Sequence, residues 1–194
     1  PISYTPDGNP MIGPAFGLEN FWISEGHSFG VTAAGGAGWQ LAEWVVNGEP
    51  SVDMLGVDPR RFGVVSKNFA KIKNEEAYAH VFVNHFPMEE RAEGRPAKTT
   101  PVYDRLDRAG AVWGARFGWE RPNWFAPQNV RRRDNYSFRR SNWFEHVGNE
   151  VRATRENVGL IELSSFSKFE IEGRSAREYI DKLVANNIPK NVGA

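Results

Sequence analysis

Five glycines crowd the first fourteen residues of "EGHSFGVTAAGGAGWQLAEWVVNGEP", at Gly26, Gly30, Gly35, Gly36 and Gly38. Each glycine inside a helix costs about 1 kcal/mol relative to alanine. Yet the segment that follows is helical: Leu41, Trp44 and Val45 recur at helical spacing, and Asn47-Gly48 supplies a stop. Upstream, Phe21, Trp22 and Ile23 suit a buried strand within residues 18–26. The chain is thereby constrained to strand, glycine turn over 26–30, then helix over 31–46. That unit presents free amides and the positive end of the helix dipole to an anion or a polar carbonyl, with no Cβ in the way. The alternative is that Gly35, Gly36 and Gly38 let the helix pack tightly on a sheet, and spacing alone does not choose between the two. The stretch is neither a dinucleotide fingerprint, since Leu41 stands where a third glycine is required, nor a P-loop, since no Lys-Ser/Thr pair follows.

Elsewhere "PISYTPDGNPMIGP" reads as a strand, a turn at Asp7-Gly8 and a short strand at Met11-Ile12. "VDPRRFG" is a turn and a short helix. Residues 68–86 carry helical periodicity through Phe69, Ile72, Ala77, His80 and Val81, ended by Pro87. A polar connector leads to a helix near 102–109. "ARFGWERPNWFAPQNV" reads as an aromatic loop, 142–158 as a helix, "GLIELSSFSKFEIEG" as a hairpin, and "RSAREYIDKLVANNIPK" as a helix stopped by Pro189. The whole is an α+β chain in three parts, 1–57, 58–112 and 113–194. The first has too few elements to close a core alone.

Net charge is zero, so no global field draws the chain to nucleic acid or membrane. The absence of cysteine excludes disulfides, thiolate metal sites and cysteine nucleophiles. No apolar run approaches the roughly 20 residues of a membrane span, and no signal peptide is visible. A chain that opens on Pro1 and stops after "NIPKNVGA" reads as cut from something longer.

Three sets of motifs carry a resemblance. "SYTPDGNPMIGP", "NFWISEGHSFGVTAAGGAGWQLAEWVVNGEPSVDM" and "DPRRFG" resemble the C-terminal end of the FAD domain in the dimethylglycine dehydrogenase / sarcosine dehydrogenase family. "NEEAYAHVFVNHFPMEERAEGRPAKTTPVYDRLDRAGAVWG" is similar to that family's central connector domain. "GWERPNWFAP" and "YSFRRSNWFEHVGNEVRATRENVGLIELSSFSKFEIEGRSAREYIDKL" resemble the start of the folate-binding domain shared with the glycine-cleavage T-protein, an aminomethyltransferase. The resemblance covers essentially the whole chain in order. It implies a multidomain flavoprotein that oxidises an N-methyl glycine derivative and passes the one-carbon unit to tetrahydrofolate. The implied cofactors are FAD and tetrahydrofolate. The implied partner is a small N-methyl amino acid, with no nucleic acid and no membrane, in the cytoplasm, or in the mitochondrial matrix of a eukaryote.

In that family the loop matching residues 26–32 lies against the isoalloxazine ring, and the helix N-terminus points at its N1–C2=O edge. Negative charge gathers at that edge on reduction, and a helix N-terminus favours it. The resemblance thus assigns Gly26, His27, Ser28, Gly30, Val31 and Thr32 to the flavin. It assigns no catalytic residue within the chain. The ADP-binding glycine motif is expected upstream and the folate-domain catalytic acid downstream, with Glu162 not equated to that acid. The isolated chain is therefore expected to be inactive and to bind FAD weakly or not at all.

Other clusters point less far. "RRRDNYSFRR" interleaves arginines with Tyr136 and Phe138. It reads as a nucleic-acid stripe, a rim for the folate tail, or a solvated surface paired with nearby acids; zero net charge favours the last. "GWERPNWFAP" is either part of a pterin pocket or an aromatic loop pinned at a domain seam. Glu76 and His80 share a helix face near His85, but no HExxH pattern exists, so no metal site is expected. Asp104 and Asp107 are expected on an exposed helix without a function. A folate-binding or aminomethyl-transfer module whose flavin half is a relic is the second reading, and a basic interaction module the third.

Overall fold

The computed structural model describes residues 2–191; Pro1 and residues 192–194, at the outer ends of the first and last expected parts, lie outside the described residues. The chain forms two units, 1–158 and 159–194.

The first unit begins with a turn in place of the strand expected before Asp7. The Thr5 hydroxyl donates to the Asn9 carbonyl (2.6 Å), Gly8 N–H to the Thr5 carbonyl (3.1 Å) and Asn9 N–H to the Asp7 carboxylate (3.0 Å). These local bonds satisfy the backbone and leave nothing for a ladder. Strands β1 (Met11–Pro14) and β2 (Trp22–Glu25) then pair antiparallel, Met11 opposite Glu25 and Pro14 opposite Trp22. Helix α1 (Gly30–Asn47) follows, closed by Gly48 in the left-handed conformation with its N–H on the Trp44 carbonyl. Ile12, Ala37, Trp44 and Met54 form the first core, with Trp22, Leu41 and Val57 against it. Gly13 is indispensable here: its φ is +141°, and a Cβ would lie 2.8 Å from Trp44 Cζ3. A 3₁₀ turn, Pro59–Phe62, is capped by the Asp58 carboxylate.

Helix α2 (Lys67–His80) starts at a Ser66 cap and ends six residues short of the expected 86. Val81 and Val83 are β-branched and resist helix continuation. The N–H of Val81 turns to the carbonyl three residues back, on Tyr78. Helix α3 (Tyr103–Arg108) lies where the periodicity puts it.

The expected aromatic loop is instead a hairpin, β3 (Ala111–Arg116) with β4 (Trp119–Phe125). Phe117 and Gly118 both take positive φ, 51° and 81°, which is the geometry of a two-residue hairpin turn matched to strand twist. Val112 faces Trp124 and Trp113 faces Pro122, so Asn123 is an extra residue in a bulge. The bulge is how a strand accommodates Pro122.

Residues 89–98 lace α2 to this hairpin. Buried Glu76 pairs with Lys73 and accepts from Glu93 N–H (2.8 Å), while Lys73 donates to the Glu93 carbonyl (3.0 Å). The Glu90 carboxylate accepts Ala115 N–H (2.6 Å). Arg95 grips Glu120 with two bonds, 2.9 and 2.6 Å, and the Glu120 side chain is 3% exposed. Lys98 N–H donates to the Gly118 carbonyl (2.9 Å), and the Lys98 carbonyl accepts Glu120 N–H (2.8 Å). The second core is Val112, Trp124 and Ala126, with Val130, Trp143 and Val147 packed on it. Trp124 is 1% exposed, stacks on His146 at 5.2 Å and donates its indole N–H to Asp134 (2.7 Å). Helix α4 (Phe144–Glu156) is tied to β4 by Glu150, which accepts Phe125 N–H (2.8 Å).

In the second unit the hairpin expected over 159–173 is not formed. Among the described residues that segment holds no strand, and its apolar positions stand open, Leu160 at 100% and Phe169 at 87% exposure. An alternating segment becomes a strand only when a neighbour takes both its hydrogen bonds and its apolar face. Helix α5 (Ala176–Leu183) is shorter than expected, because the chain beyond it folds back onto Arg177, which donates to the Ile188 and Pro189 carbonyls.

Three outcomes are expected in the native protein containing this sequence. Trp124→Ala should cost about 3–5 kcal/mol in thermal or denaturant unfolding, through the cavity and the orphaned Asp134. Arg95→Met should cost about 3–5 kcal/mol by leaving Glu120 buried and unpaired, and adding Glu120→Leu should recover most of that loss. Burial pushes the Glu76 carboxyl up, but the bonds from Lys73 and the Glu93 amide outweigh it and hold the group below its ordinary 4.5. Its contribution is complete above 4.5 and is lost as the pH falls through the lower folded value, so Glu76→Gln should flatten the acid limb of a stability–pH curve.

Candidate functional site

The glycine turn joins β2 to α1 and gathers the six sequence-assigned residues at one helix mouth. Gly26 is buried at φ +74°, and a Cβ there would meet Thr5 Cγ2 at 2.8 Å, so this glycine is fixed by its own turn. His27 Nε2 bonds the Ser24 hydroxyl at 3.2 Å. Its Nδ1 is buried without a partner, and so is the Ser28 hydroxyl. A buried polar atom left unpaired costs about 1–3 kcal/mol, so two side by side in one loop require an explanation.

Helix α1 begins at Gly30 with no side-chain cap. The Thr32 hydroxyl does not serve as one, since it donates to the Phe29 carbonyl at 2.9 Å. The amides of Gly30, Val31 and Thr32 therefore precede the first intrahelical acceptor and stay uncapped, with the dipole's positive end behind them. Val31 is 98% exposed. Around Gly35, Gly36 and Gly38 nothing lies within 4 Å of a Cβ position. Among the described residues the packing explanation of these three glycines thus has no support: they do not seat α1 on the β1–β2 hairpin.

Several side chains of the other clusters are engaged in the fold. Glu120 is locked to Arg95 and Trp124 is in the core, so the pair most suited to binding a pterin in "GWERPNWFAP" is already engaged. In the arginine-rich segment, Arg132 bonds Asp107 (2.5 Å) and the Ala111 carbonyl (2.8 Å), Tyr136 accepts Glu90 N–H (3.4 Å), Phe138 packs on Phe86, and Arg140 lies over Phe144. Asp107 is accordingly not idle. It takes both Arg132 and the Trp113 indole N–H, and Arg132 foremost holds its carboxyl below the usual range. His80 Nδ1 bonds the Glu76 carbonyl (2.8 Å) and its ring stacks on His85, while Glu76 serves Lys73 and Glu93. Among the described residues no three His, Cys, Asp or Glu side chains are grouped to hold a metal ion, and no helix is long and apolar enough to cross a membrane. Glu162 accepts Ser164 N–H in a local turn.

One contact was invisible in the sequence. Phe29, inside the loop, meets Phe82, beyond the end of α2, edge to face at 6.2 Å. No periodicity or motif links two such distant positions.

Two family models match the chain: the FAD dependent oxidoreductase central domain over residues 47–100 and the GCVT N-terminal domain over residues 102–194. Mouse mitochondrial dimethylglycine dehydrogenase is 39% identical over 98% of the chain and 22% of its own length. The mouse mitochondrial pyruvate dehydrogenase phosphatase regulatory subunit is 35% identical over 100% of the chain and 24% of its own length. Human mitochondrial sarcosine dehydrogenase is 30% identical over 100% of the chain and 24% of its own length. The chain spans about a quarter or less of the length of the curated relatives it matches. Along nearly all its residues, with the two domain models matched in their order, the chain is similar to dimethylglycine dehydrogenase and sarcosine dehydrogenase.

Proposed function

We propose that this chain is part of a flavin-dependent enzyme that oxidatively demethylates an N-methyl glycine derivative, dimethylglycine or sarcosine, and passes the one-carbon unit to tetrahydrofolate. Residues 1–57 would supply the end of the flavin domain, 58–112 the connector and 113–194 the start of the folate domain. The reading is carried by the mouth of α1, where uncapped amides meet two unsatisfied atoms, His27 Nδ1 and Ser28 Oγ. Those features fit a flat group with a polar, electron-rich edge. FAD, when bound, supplies the two-electron acceptor for oxidation of the amine. The protein's part here is to hold that group. The amides of Gly30, Val31 and Thr32 favour negative charge at its pyrimidine edge. His27 and Ser28 gain the partners they lack, and the absence of side chains at Gly30 and Gly35 leaves room for close approach. A place in the cytoplasm, or in the mitochondrial matrix of a eukaryote, belongs to this reading, and the three relatives named above are mitochondrial by name.

A second reading has its own support: one of those relatives is named as a regulatory subunit. On that reading the chain belongs to a folate-binding or aminomethyl-transfer module without flavin chemistry. Purification of the native protein separates the two. Visible flavin absorbance that bleaches anaerobically on addition of dimethylglycine or sarcosine is the expected result, and a native protein with no flavin would sink the first reading. Gly30→Val should strip or perturb the flavin by placing a branched side chain at the helix mouth. The isolated 194-residue chain should retain FAD poorly in equilibrium dialysis.

A further inference from the structure

The segment that follows α2 does not run off into solvent. It carries Phe82 to Phe29, with ring centroids 6.2 Å apart and planes at 86°. Phe29 is the N-terminal boundary residue of α1, and its carbonyl accepts both Ala33 N–H (3.0 Å) and the Thr32 hydroxyl (2.9 Å). Whatever fixes the Phe29 ring therefore fixes the carbonyl on which the first turn of α1 is wound. Both rings remain largely open, 58% exposed at Phe29 and 84% at Phe82, beside the unpartnered His27 and Ser28 atoms. The resemblance assigns flavin-facing residues in this chain only within 26–32. Phe82 comes from the stretch matched by the central-domain model.

We infer that Phe82 is a positioning residue for the flavin loop: it braces Phe29 edge-on and so sets where the uncapped amides of Gly30, Val31 and Thr32 point. This rests on the flavin reading above. An edge-to-face contact has a preferred geometry that a merely apolar neighbour does not impose. The helix dipole acts over about one turn, so a small displacement of that turn changes the charge felt at its mouth. The connector thereby enters the electrostatics of the flavin site without touching the flavin.

The test uses the native full-length protein and sulfite as probe. Sulfite adds to the flavin ring and places negative charge on the pyrimidine edge, so its affinity reports the positive field there. Phe82→Ala should weaken sulfite binding about tenfold and shift the visible flavin spectrum. Phe82→Tyr should restore both, and Phe82→Leu should fall between. Phe138→Ala, which removes the remote Phe86–Phe138 contact, should leave sulfite affinity unchanged. Should Phe82→Ala fail to fold, the Leu and Tyr variants carry the comparison. Wild-type sulfite affinity in both Phe82→Ala and Phe82→Leu, or an equal loss in Phe138→Ala, would overturn the inference while leaving the flavin reading intact. A wild-type protein without flavin would overturn the reading and the inference with it.

Discussion

The bonded pair of Arg95 and Glu120 is the constraint from which the rest of the larger unit follows. Glu120 sits on the hairpin with its side chain almost wholly removed from water, where a lone carboxylate is not tolerated. Its partner must arrive from outside the hairpin, and Arg95 does so from residues 89–98. Once Arg95 is seated, first through its bonds to Glu120 and despite burial, its guanidinium is held even more firmly protonated than usual. Lys98 then falls into line beside β4, Glu90 reaches β3, and Glu93 reaches back to Glu76 on α2. One desolvated charge pair thus joins the region matched by the central-domain model to the beginning of the GCVT match, across the boundary the two models draw at residues 100 and 102.

The helix mouth has the opposite character. There the polar groups are left unpaired: two side-chain atoms without partners and a helix terminus without a cap. Such groups are costly unless a ligand completes them. The seam's carboxylates Glu76, Glu90 and Glu120 are all bonded, with Asn74 Oδ1 on α2 left unpaired, whereas the loop leaves two neighbouring side-chain atoms without partners. Several members of the charged and aromatic clusters prominent in the sequence, Glu120, Trp124, Arg132 and Tyr136, are engaged in packing and bonds within the larger unit.

Much of this was legible from residues alone. Helix α1 and its glycine turn follow from the apolar spacing of Leu41, Trp44 and Val45 and from the stop at Gly48. The motifs carried the resemblance to dimethylglycine and sarcosine dehydrogenases. The hairpin of β3 and β4 was not legible, because prolines and glycines in "ARFGWERPNWFAPQNV" signal a loop. Only the paired turn geometry at Phe117 and Gly118, and a bulge opposite Trp113, reveal how the chain absorbs them. Helix α2 was read too long because Val81 preserves the helical phase while its branching opposes the helix. Residues 159–173 alternate as a strand should, but alternation is a demand for a neighbour, and no strand forms among the described residues of the unit that holds them. The edge-to-face contact of Phe29 with Phe82 and the use of Asp107 by Arg132 depend on tertiary proximity that no local pattern encodes.

The bonds around the β3–β4 hairpin have one more effect. Along β4 the outward Glu120 N–H is taken by Lys98, Pro122 has none to offer, and Phe125 N–H is taken by Glu150. Along β3 the outward Ala115 N–H is taken by Glu90 and the Ala111 carbonyl by Arg132. A two-stranded ribbon ordinarily exposes two templates onto which further strands, including those of other molecules, can add. Here the Lys98 carbonyl, three side chains and a proline occupy several of those positions. Both outer edges of the ribbon are thus partly occupied, which opposes strand addition at a point where the sequence is dense in tryptophan and phenylalanine.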